Sequence, residues 1–235
     1  FDYIKSEALS ANQGGSICQK TQIGLMDLVH NYNTNDTADV YYEHSNTGRP
    51  SEHRFYFDVG FILDNHLIVK DINPAEEDKY YRLFRSKGLR QRVLETEGFY
   101  PRDQSKIQLT KNTQGYVVLN QKYKIVWSVK NPSLFSFSEE EIIFPMGRAA
   151  IIASNDREEM LYLLSLLNSR ISWLVFRLLL MSEGEKDFLL PISAIKTYLR
   201  IPKIRQSSSR LCKVRVIDIA AKMLALTKND DYPSN

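Results

Sequence analysis

Residues 149–170 read AAIIASNDREEMLYLLSLLNSR, and this stretch decides which kind of fold the chain adopts. The small and β-branched apolar residues of 148–153 predict a strand. Asn155 predicts the N-cap of a following helix, with Glu158 as its reciprocal partner three residues on. The helix pattern that begins there is apolar on most of its faces, so we expect that helix to lie deep in the core.

The helix pattern continues through residues 160–181, which is long enough to span a bilayer. Its interior, however, contains Arg170 and Arg177 together with several other polar residues. An arginine at the centre of a bilayer costs on the order of 2.5–3.5 kcal/mol. We therefore expect a buried helix of a soluble protein and no membrane partner.

Upstream of this stretch the sequence predicts mainly strands, and downstream it predicts helices. Apolar alternation and turn residues predict strands over residues 54–63, 66–70, 115–119, 123–128 and 141–144. Helical spacing predicts a helix over residues 21–32 and two helices within residues 75–97, with a break at Gly88. After residue 190 we expect a short element over 191–198, halted by Ile201-Pro202, and a final amphipathic helix over 213–226.

These elements indicate an α+β fold in which a β-rich N-terminal and central part packs against a helical C-terminal third. The chain has 235 residues, of which 43% are hydrophobic, so it can bury a core as one large domain or two small ones. The chain does not begin with methionine, so we expect it to be a piece of a longer protein.

Charge and cysteine content exclude few classes of function. The formal net charge of +3 permits a nucleic-acid surface but does not require one, since binding depends on where the charges lie. Cys18 and Cys212 are far apart, and neither has a second ligand at zinc-site spacing, so we expect no metal site built on them. No signal-peptide pattern is present, and a reducing, cytoplasmic location is the simplest interpretation.

Catalytic motifs are missing from the sequence. A methyltransferase of DNA amines needs a glycine-rich cofactor loop and an Asn/Asp-Pro-Pro-Tyr/Phe tetrapeptide that grips a flipped base. The nearest stretches, Asn73-Pro74-Ala75-Glu76 and Asn131-Pro132-Ser133-Leu134, lack the second proline and the aromatic residue, and the sequence has no Gly-x-Gly loop. The four histidines have no partners in a recognisable catalytic pattern. We therefore expect no catalytic residues in this chain.

Three signatures follow one another in the second half of the chain. Residues 122–127, KYKIVW, form a strand pattern that leads into a polar loop with Ser136 and Phe137. Residues 162–170, YLLSLLNSR, form the helix pattern, and FLLPIS at 188–193 precedes YLRIPKI at 198–204. In this order they resemble the TaqI-like specificity domain that lies C-terminal to adenine-N6 methyltransferases in restriction–modification enzymes, including type IIG enzymes.

This resemblance implies a DNA sequence-recognition domain, in which 111–235 are the specificity region and 1–110 are its N-terminal part. Its partners would be double-stranded DNA and a methyltransferase domain or subunit. The resemblance implies that methyl transfer from S-adenosylmethionine takes place in another part of the full protein, so no cofactor is expected in this chain. Most of the matching residues are expected to have structural roles, and Asn168 is expected to bond backbone rather than DNA.

The cationic and polar residues of irregular segments are the natural candidates for DNA contact, because register is fixed at phosphates and sequence is read at base edges. We expect phosphate contacts from the densest cationic stretch and the polar segment after it, namely Arg82, Arg85, Lys87, Arg90, Arg92, Arg102 and Lys106. We expect base contacts from two loops that carry Lys130, Asn131 and Arg148.

Two alternative functions remain open at this point. Asp71, Glu77 and Lys79 have the residue types of a metal-dependent nuclease site, although acidic residues at a helix start are the simpler interpretation of that segment. The second alternative is a module that docks a protein subunit and does not bind DNA.

Overall fold

The computed structural model describes residues 37–38, 55–84, 96–108, 115–130, 132, 134–147, 149–181, 189–199, 201–202 and 207–228. The predicted helix over residues 21–32 lies outside the described residues. The division predicted near residue 110 stays a prediction.

The described elements confirm the α+β fold class, with four of the five described α-helices in the C-terminal third. The strands are β1 (Thr37–Ala38), β2 (Tyr56–Asp58), β3 (Ile62–Leu63), β4 (Tyr80–Phe84), β5 (Thr96–Pro101), β6 (Ile107–Gln108), β7 (Tyr123–Ser128), β8 (Ser136–Ser138), β9 (Ile142–Ile143), β10 (Ala149–Ser154) and β11 (Ile201–Pro202). The α-helices are α1 (Gly115–Asn120), α2 (Arg157–Leu167), α3 (Arg170–Leu180), α4 (Ile192–Tyr198) and α5 (Ser207–Lys228). Three short 3-10 helices cover Asn65–Leu67, Pro74–Lys79 and Gln104–Lys106.

The central sheet is antiparallel, in the order β2-β10-β7-β8. All six residues of β10 are buried, as the run of alanine and isoleucine predicts for a strand covered on both faces. Ala150 and Ile152 point to the helical side, whereas Ile151 and Ala153 belong to a second cluster on the opposite side. The predicted strands over 123–128 and 148–153 are therefore confirmed.

Helices α2 to α5 lie on one face of this sheet, and their apolar residues complete the main core with Trp127 of β7. The indole N–H of Trp127 donates to Leu190 O at 2.8 Å, which ties β7 to the segment before α4. The N-cap prediction was wrong by one residue. Asp156 caps α2 by accepting from Glu159 N–H, whereas Asn155 accepts from Lys122 N–H at 2.8 Å and so joins the chain before β7.

The apolar stretch over residues 160–181 forms two helices and not one. Helices α2 and α3 meet at a bend of 59°. Ser169 starts a new helix there, because its hydroxyl accepts from Ser172 N–H. Within the described residues no single helix is long and apolar enough to cross a membrane, although the bent pair α2–α3 meets that test by length and composition.

Asn168 lies at this bend and bonds backbone, as expected from the sequence. Its side-chain oxygen accepts from Phe135 N–H, and its amide nitrogen donates to Phe135 O, both at 2.9 Å. The two bonds clamp the connection between β7 and β8 onto the end of α2. The side chain of Phe135 packs beside Trp127 and Trp173 in the main core.

A second sheet, in the order β5-β4-β9, contains residues 80–84, where the first of the two helices within 75–97 was predicted. Residues 85–95, with the predicted break at Gly88 and most of the second predicted helix, lie outside the described residues. Asn73-Pro74 starts a 3-10 helix that ends at Lys79, and the chain then becomes extended. In β4 the buried side chains of Tyr81 and Leu83 are two residues apart, which is the strand period and not the helix period. The prediction failed because the alternating run Tyr81-Arg82-Leu83 is short, whereas the charged residues on both sides of it fitted a helix pattern.

Two further strand predictions were wrong. Residues 115–119 belong to helix α1, which buries Gly115, Val118 and Leu119 at spacings of three and four residues. A short apolar run of this kind fits a strand or a buried helix equally well by composition. The 3-10 helix Asn65–Leu67 overlaps the start of the predicted strand over 66–70, because Asp64 caps that turn by accepting from His66 N–H.

Lys124 is a charged residue in the interior, only 1% exposed, on the face of β7 that is turned away from helices α2–α5. Its ammonium group donates to Gln121 O, just beyond the end of α1. Burial lowers the pKa of Lys124 to about 8, and Glu141 opposes this effect.

We expect Asn168→Ala to lower the free energy of unfolding by about 1–3 kcal/mol, because it leaves two backbone groups of a buried residue without their partners. Urea denaturation measures the change. Asn120→Ala, at the exposed end of α1, is the matched control and should change stability by less. Equal losses in the two variants would contradict the clamp.

We expect the stability of the wild type relative to Lys124→Met to rise between about pH 8 and pH 10.5. The pKa of Lys124 is about 8 in the folded state and 10.5 as a reference, so the unfolded chain binds more protons across this window. The cost of burying the charge is therefore complete below about pH 8 and disappears as the pH rises to 10.5, with a change on the order of 3 kcal/mol. Denaturation of both proteins across this range measures it, and a difference that stays constant with pH would contradict the assignment.

Candidate nucleic-acid interface

Strand pairing brings several connections to one end of the molecule, which we call the loop end. In the central sheet Ala149, which starts β10, pairs with Ser128, which ends β7. Asp58, which ends β2, pairs with Ile151. The connections after β2 and β7 and the connection before β10 therefore leave the sheet at the same end of its strands.

The second sheet adds another connection to the loop end. Phe84, at the end of β4, pairs with Thr96, at the start of β5, so residues 85–95 begin and end beside each other. Strand β4 runs parallel to β9, with Leu83 opposite Ile143. Because the chain passes from β9 to β10 through residues 144–148, the ends of both sheets meet here.

The turn after β9 is held firmly by backbone bonds. Phe61 N–H donates to Phe144 O at 3.0 Å, and Met146 N–H donates to Phe61 O at 2.9 Å. Gly147 N–H donates to Val59 O at 3.1 Å, and its φ of 83° requires glycine or a strained residue. The turn that precedes position 148 is thus a rigid support for the residue after it.

The turn after β2 is equally constrained. Gly60 has a φ of 97°, and a Cβ atom there would lie 2.8 Å from the ring of Phe144. Asp58 supports this turn, because its Oδ1 accepts from Val59 N–H and Gly60 N–H. The carboxyl group is 2% exposed and its Oδ2 has no hydrogen-bond partner among the described residues, so burial raises its pKa.

Lys130 is the one described residue of the three predicted to contact bases, and it lies at the loop end. Its backbone oxygen accepts from Ser128 Oγ at 2.8 Å, and the residue bridges to Leu189. Leu190 N–H donates to Val129 O at 2.8 Å, so two segments hold the backbone around Lys130 while its side chain is exposed.

Arg82, predicted to contact phosphate, lies in the middle of β4 and is bound to two carboxylates. Its guanidinium group donates to Glu77 at 2.7 Å and to Glu140 at 2.9 Å. These bonds raise the pKa of Arg82 further, chiefly through Glu77. The side chain is 41% exposed, so water screens these pairs and each contributes little to stability.

Arg102 and Lys106 lie beyond the opposite end of β5, where Tyr80 pairs with Pro101. Arg102 forms an ion pair with Glu141 and donates to Tyr80 O at 3.0 Å. Lys106 forms an ion pair with Asp103 at 3.5 Å. The six residues of β5 separate this end from the loop end by roughly 17 Å.

The remaining predicted contact residues lie outside the described residues: Arg85, Lys87, Arg90, Arg92, Asn131 and Arg148. The described residues that flank these positions, Phe84, Thr96, Lys130, Gly147 and Ala149, lie at the loop end. Arg102 and Lys106 lie beyond the opposite end of β5.

The sequence did not predict which carboxylates bind the arginines of this region. The run Glu139-Glu140-Glu141 supplies a carboxylate each to Arg157, Arg82 and Arg102. A run of three glutamates beside a strand was the available signal. The parallel pairing of β4 with β9, two strands remote in sequence, brings Glu140 and Glu141 beside Arg82 and Arg102.

Two of the three residues considered for a nuclease site are bound to other side chains. Glu77 binds Arg82, and Lys79 forms an ion pair with Glu76 at 2.8 Å. In the part of the chain that the structure describes, no group of three or more histidine, cysteine or acidic side chains is placed to hold a metal ion.

No known family model matches this sequence, and no curated protein matches it either.

The chain is similar to several solved structures. The type IIG restriction endonuclease BpuSI matches 83% of this chain with a TM-score of 0.55 and 12% identity, and this chain spans 27% of the length of BpuSI. The HsdS subunit from Thermoanaerobacter tengcongensis matches 99% of this chain over 52% of its own length, with a TM-score of 0.42 and 11% identity. The S subunit of a type I restriction–modification system from M. genitalium matches 97% over 48%, with a TM-score of 0.42 and 10% identity. The similarity to BpuSI is one of fold.

Proposed function

We propose that this chain is a DNA target-recognition domain of a restriction–modification enzyme, which binds a short duplex site for an enzyme activity located elsewhere in the full protein. The fold shared with BpuSI over 83% of the chain is the observation that carries this proposal. The signatures at residues 122–127, 162–170 and 188–204, which resemble TaqI-like specificity domains, support it independently.

The activity served by this domain would be methylation of adenine at N6. An enzyme that modifies a base must extrude it from the duplex into its own pocket, and it needs S-adenosylmethionine for the methyl group. The sequence has neither the cofactor loop nor the tetrapeptide for this chemistry. The domain therefore contributes affinity and site selection, and the methyltransferase part contributes the cofactor and the catalytic residues.

The loop end is the surface that we assign to DNA. Cations contact phosphates best where no carboxylate competes for them, and Arg82, Arg102 and Lys106 each have a carboxylate partner. We therefore assign these three residues to the scaffold and the phosphate contacts to Arg85, Lys87, Arg90 and Arg92. Lys130, Asn131 and Arg148 remain the candidates for base edges, since lysine and arginine donate to guanine and asparagine pairs with adenine.

We expect the chain to bind random duplex DNA with a dissociation constant on the order of 10⁻⁴–10⁻⁶ M at physiological salt. The affinity should fall steeply as salt rises, because counterions released from phosphates drive this binding. Fluorescence anisotropy across a salt series, with and without magnesium, measures both quantities. DNA that stays intact with magnesium supports recognition without cleavage, whereas no binding at low salt would contradict the assignment of DNA recognition to this chain.

We expect the double variant Lys87→Ala/Arg90→Ala to weaken binding to all duplexes and to reduce the slope of log affinity against log salt by about one to two. The double variant Arg102→Ala/Lys106→Ala removes the same charge from the far end and should leave the affinity and the slope unchanged. The same anisotropy titrations compare the two. A far-end variant that loses as much slope as the loop-end variant would refute the assignment of the loop end.

A further inference from the structure

The turn at residues 144–147 presents an apolar side chain at the loop end. Met146 is 43% exposed, although Phe144, two residues earlier, is buried. Gly147 follows with a φ of 83°, and a Cβ atom there would meet no atom of the described residues within 4 Å. The tip of the turn therefore borders open space in the part of the chain that the structure describes.

The backbone on both sides of this tip is held by hydrogen bonds. Met146 N–H donates to Phe61 O at 2.9 Å, and Gly147 N–H donates to Val59 O at 3.1 Å. In the opposite direction, Phe61 N–H donates to Phe144 O at 3.0 Å. Three backbone bonds thus join the turn to residues 59–61. A loop that is ordered before it binds loses less conformational entropy on binding than a loose one.

The segment that receives these bonds is itself fixed. Asp58 Oδ1 accepts from the N–H groups of the next two residues. The rings of Phe61 and Phe144 are buried and pack edge to face, with their centroids 6.4 Å apart. The two turns therefore form one packed unit, and the core sets the position from which Met146 projects.

A second apolar position is exposed beside Met146. Phe61 and Pro145 form a parallel bridge, and Met146 N–H bonds the oxygen of the peptide unit that joins Phe61 to Ile62. Ile62 is 42% exposed. The loop end therefore has two neighbouring apolar positions that are open to solvent, in addition to the cationic residues of its connections.

Single exposed apolar residues are ordinary on protein surfaces, so exposure alone does not indicate a contact. Met146 differs in where it lies, because its turn belongs to the end of the molecule that we assign to DNA. Phosphates offer no favourable contact to an apolar side chain. The apolar group that a duplex presents in its major groove is the C5-methyl of thymine, and it distinguishes thymine from the other bases.

We propose that Met146 recognises thymine by contact with its C5-methyl group in the major groove, an inference that rests on the proposed function of this chain. More than half of the surface of Met146 is already covered by protein, which favours contact with a group in the groove over insertion between stacked bases. The unbranched thioether side chain adapts readily to the surface that it meets. Met146 thus adds an apolar contact to the hydrogen bonds proposed for Lys130, Asn131 and Arg148.

Selection from a pool of random duplexes tests the assignment. The wild-type chain and Met146→Ala each select bound duplexes at the same salt concentration, and the selected pools are sequenced. We expect the wild type to prefer thymine at one position where Met146→Ala has no preference, with the other positions unchanged. Met146→Leu keeps an apolar side chain of similar size and should retain the preference for thymine.

Replacing that thymine by deoxyuridine removes the methyl group and leaves base pairing intact. We expect the affinity of the wild type to fall about fourfold, as for the loss of one buried methyl group, and Met146→Ala to bind both duplexes equally. Anisotropy titrations of the four combinations measure this. An equal loss in the two proteins would assign the methyl contact to another residue and overturn the proposal, as would no loss in the wild type.

Leu211→Ala is the matched control, because it truncates an exposed apolar side chain away from the loop end. Leu211 is 66% exposed on α5, two residues before Lys213, which forms an ion pair with Glu159 in the first turn of α2. Helix α2 follows Ser154, where β10 ends at the opposite end of the central sheet. Leu211→Ala should therefore keep the affinity and the preference for thymine.

The outcomes separate this inference from the proposed function. A wild-type chain that selects no sequence would overturn the proposed function and this inference with it. A wild-type chain that selects a site, together with Met146→Ala that selects the same site with the same preference for thymine, would overturn only the assignment of Met146. Loss of the thymine preference in Leu211→Ala would overturn that assignment as well.

Discussion

The antiparallel pairing of β10 with β7 is the constraint on which the other layers depend. Both faces of β10 are buried, so a protein that contains this strand must cover the sheet on two sides. Helices α2–α5 cover one side, and α1 with the second sheet covers the other. The buried Lys124 lies on that second side and donates to a carbonyl group beyond α1, which gives its buried ammonium group a partner.

The sequence predicted the parts of the fold in which local pattern and tertiary environment agree. The strands β7 and β10 and the helix α5 are examples, since their apolar residues follow the period of the element that they form. Prediction failed where a tertiary contact determines the local structure. Residues 80–84 become a strand because β5 and β9 pair with them, and the break between α2 and α3 depends on Ser169 and on the clamp of Asn168 to Phe135.

In the candidate interface, too, the sequence did not show which charged residues are free to contact DNA. Composition counts cations, but it does not show which of them are already bound to carboxylates. Arg82 and Arg102 belong to the sequence stretches richest in positive charge, yet strand β9 brings Glu140 and Glu141 to them. A sequence pattern can therefore nominate DNA contacts, and only the pairing of remote strands separates a cation that supports the scaffold from one that is able to meet a phosphate.

The position of β2 at the edge of the central sheet has a consequence for synthesis of the chain. Its hydrogen-bonding partner in the described structure is β10, which is made about a hundred residues later. At ribosomal rates of about 5–20 residues per second, β2 waits roughly 5–20 seconds for that partner. During this interval an apolar edge that includes Phe55 and Phe57 has no native strand beside it. Until β10 emerges, this edge of the nascent chain is open to pairing with other chains, which is a route to aggregation.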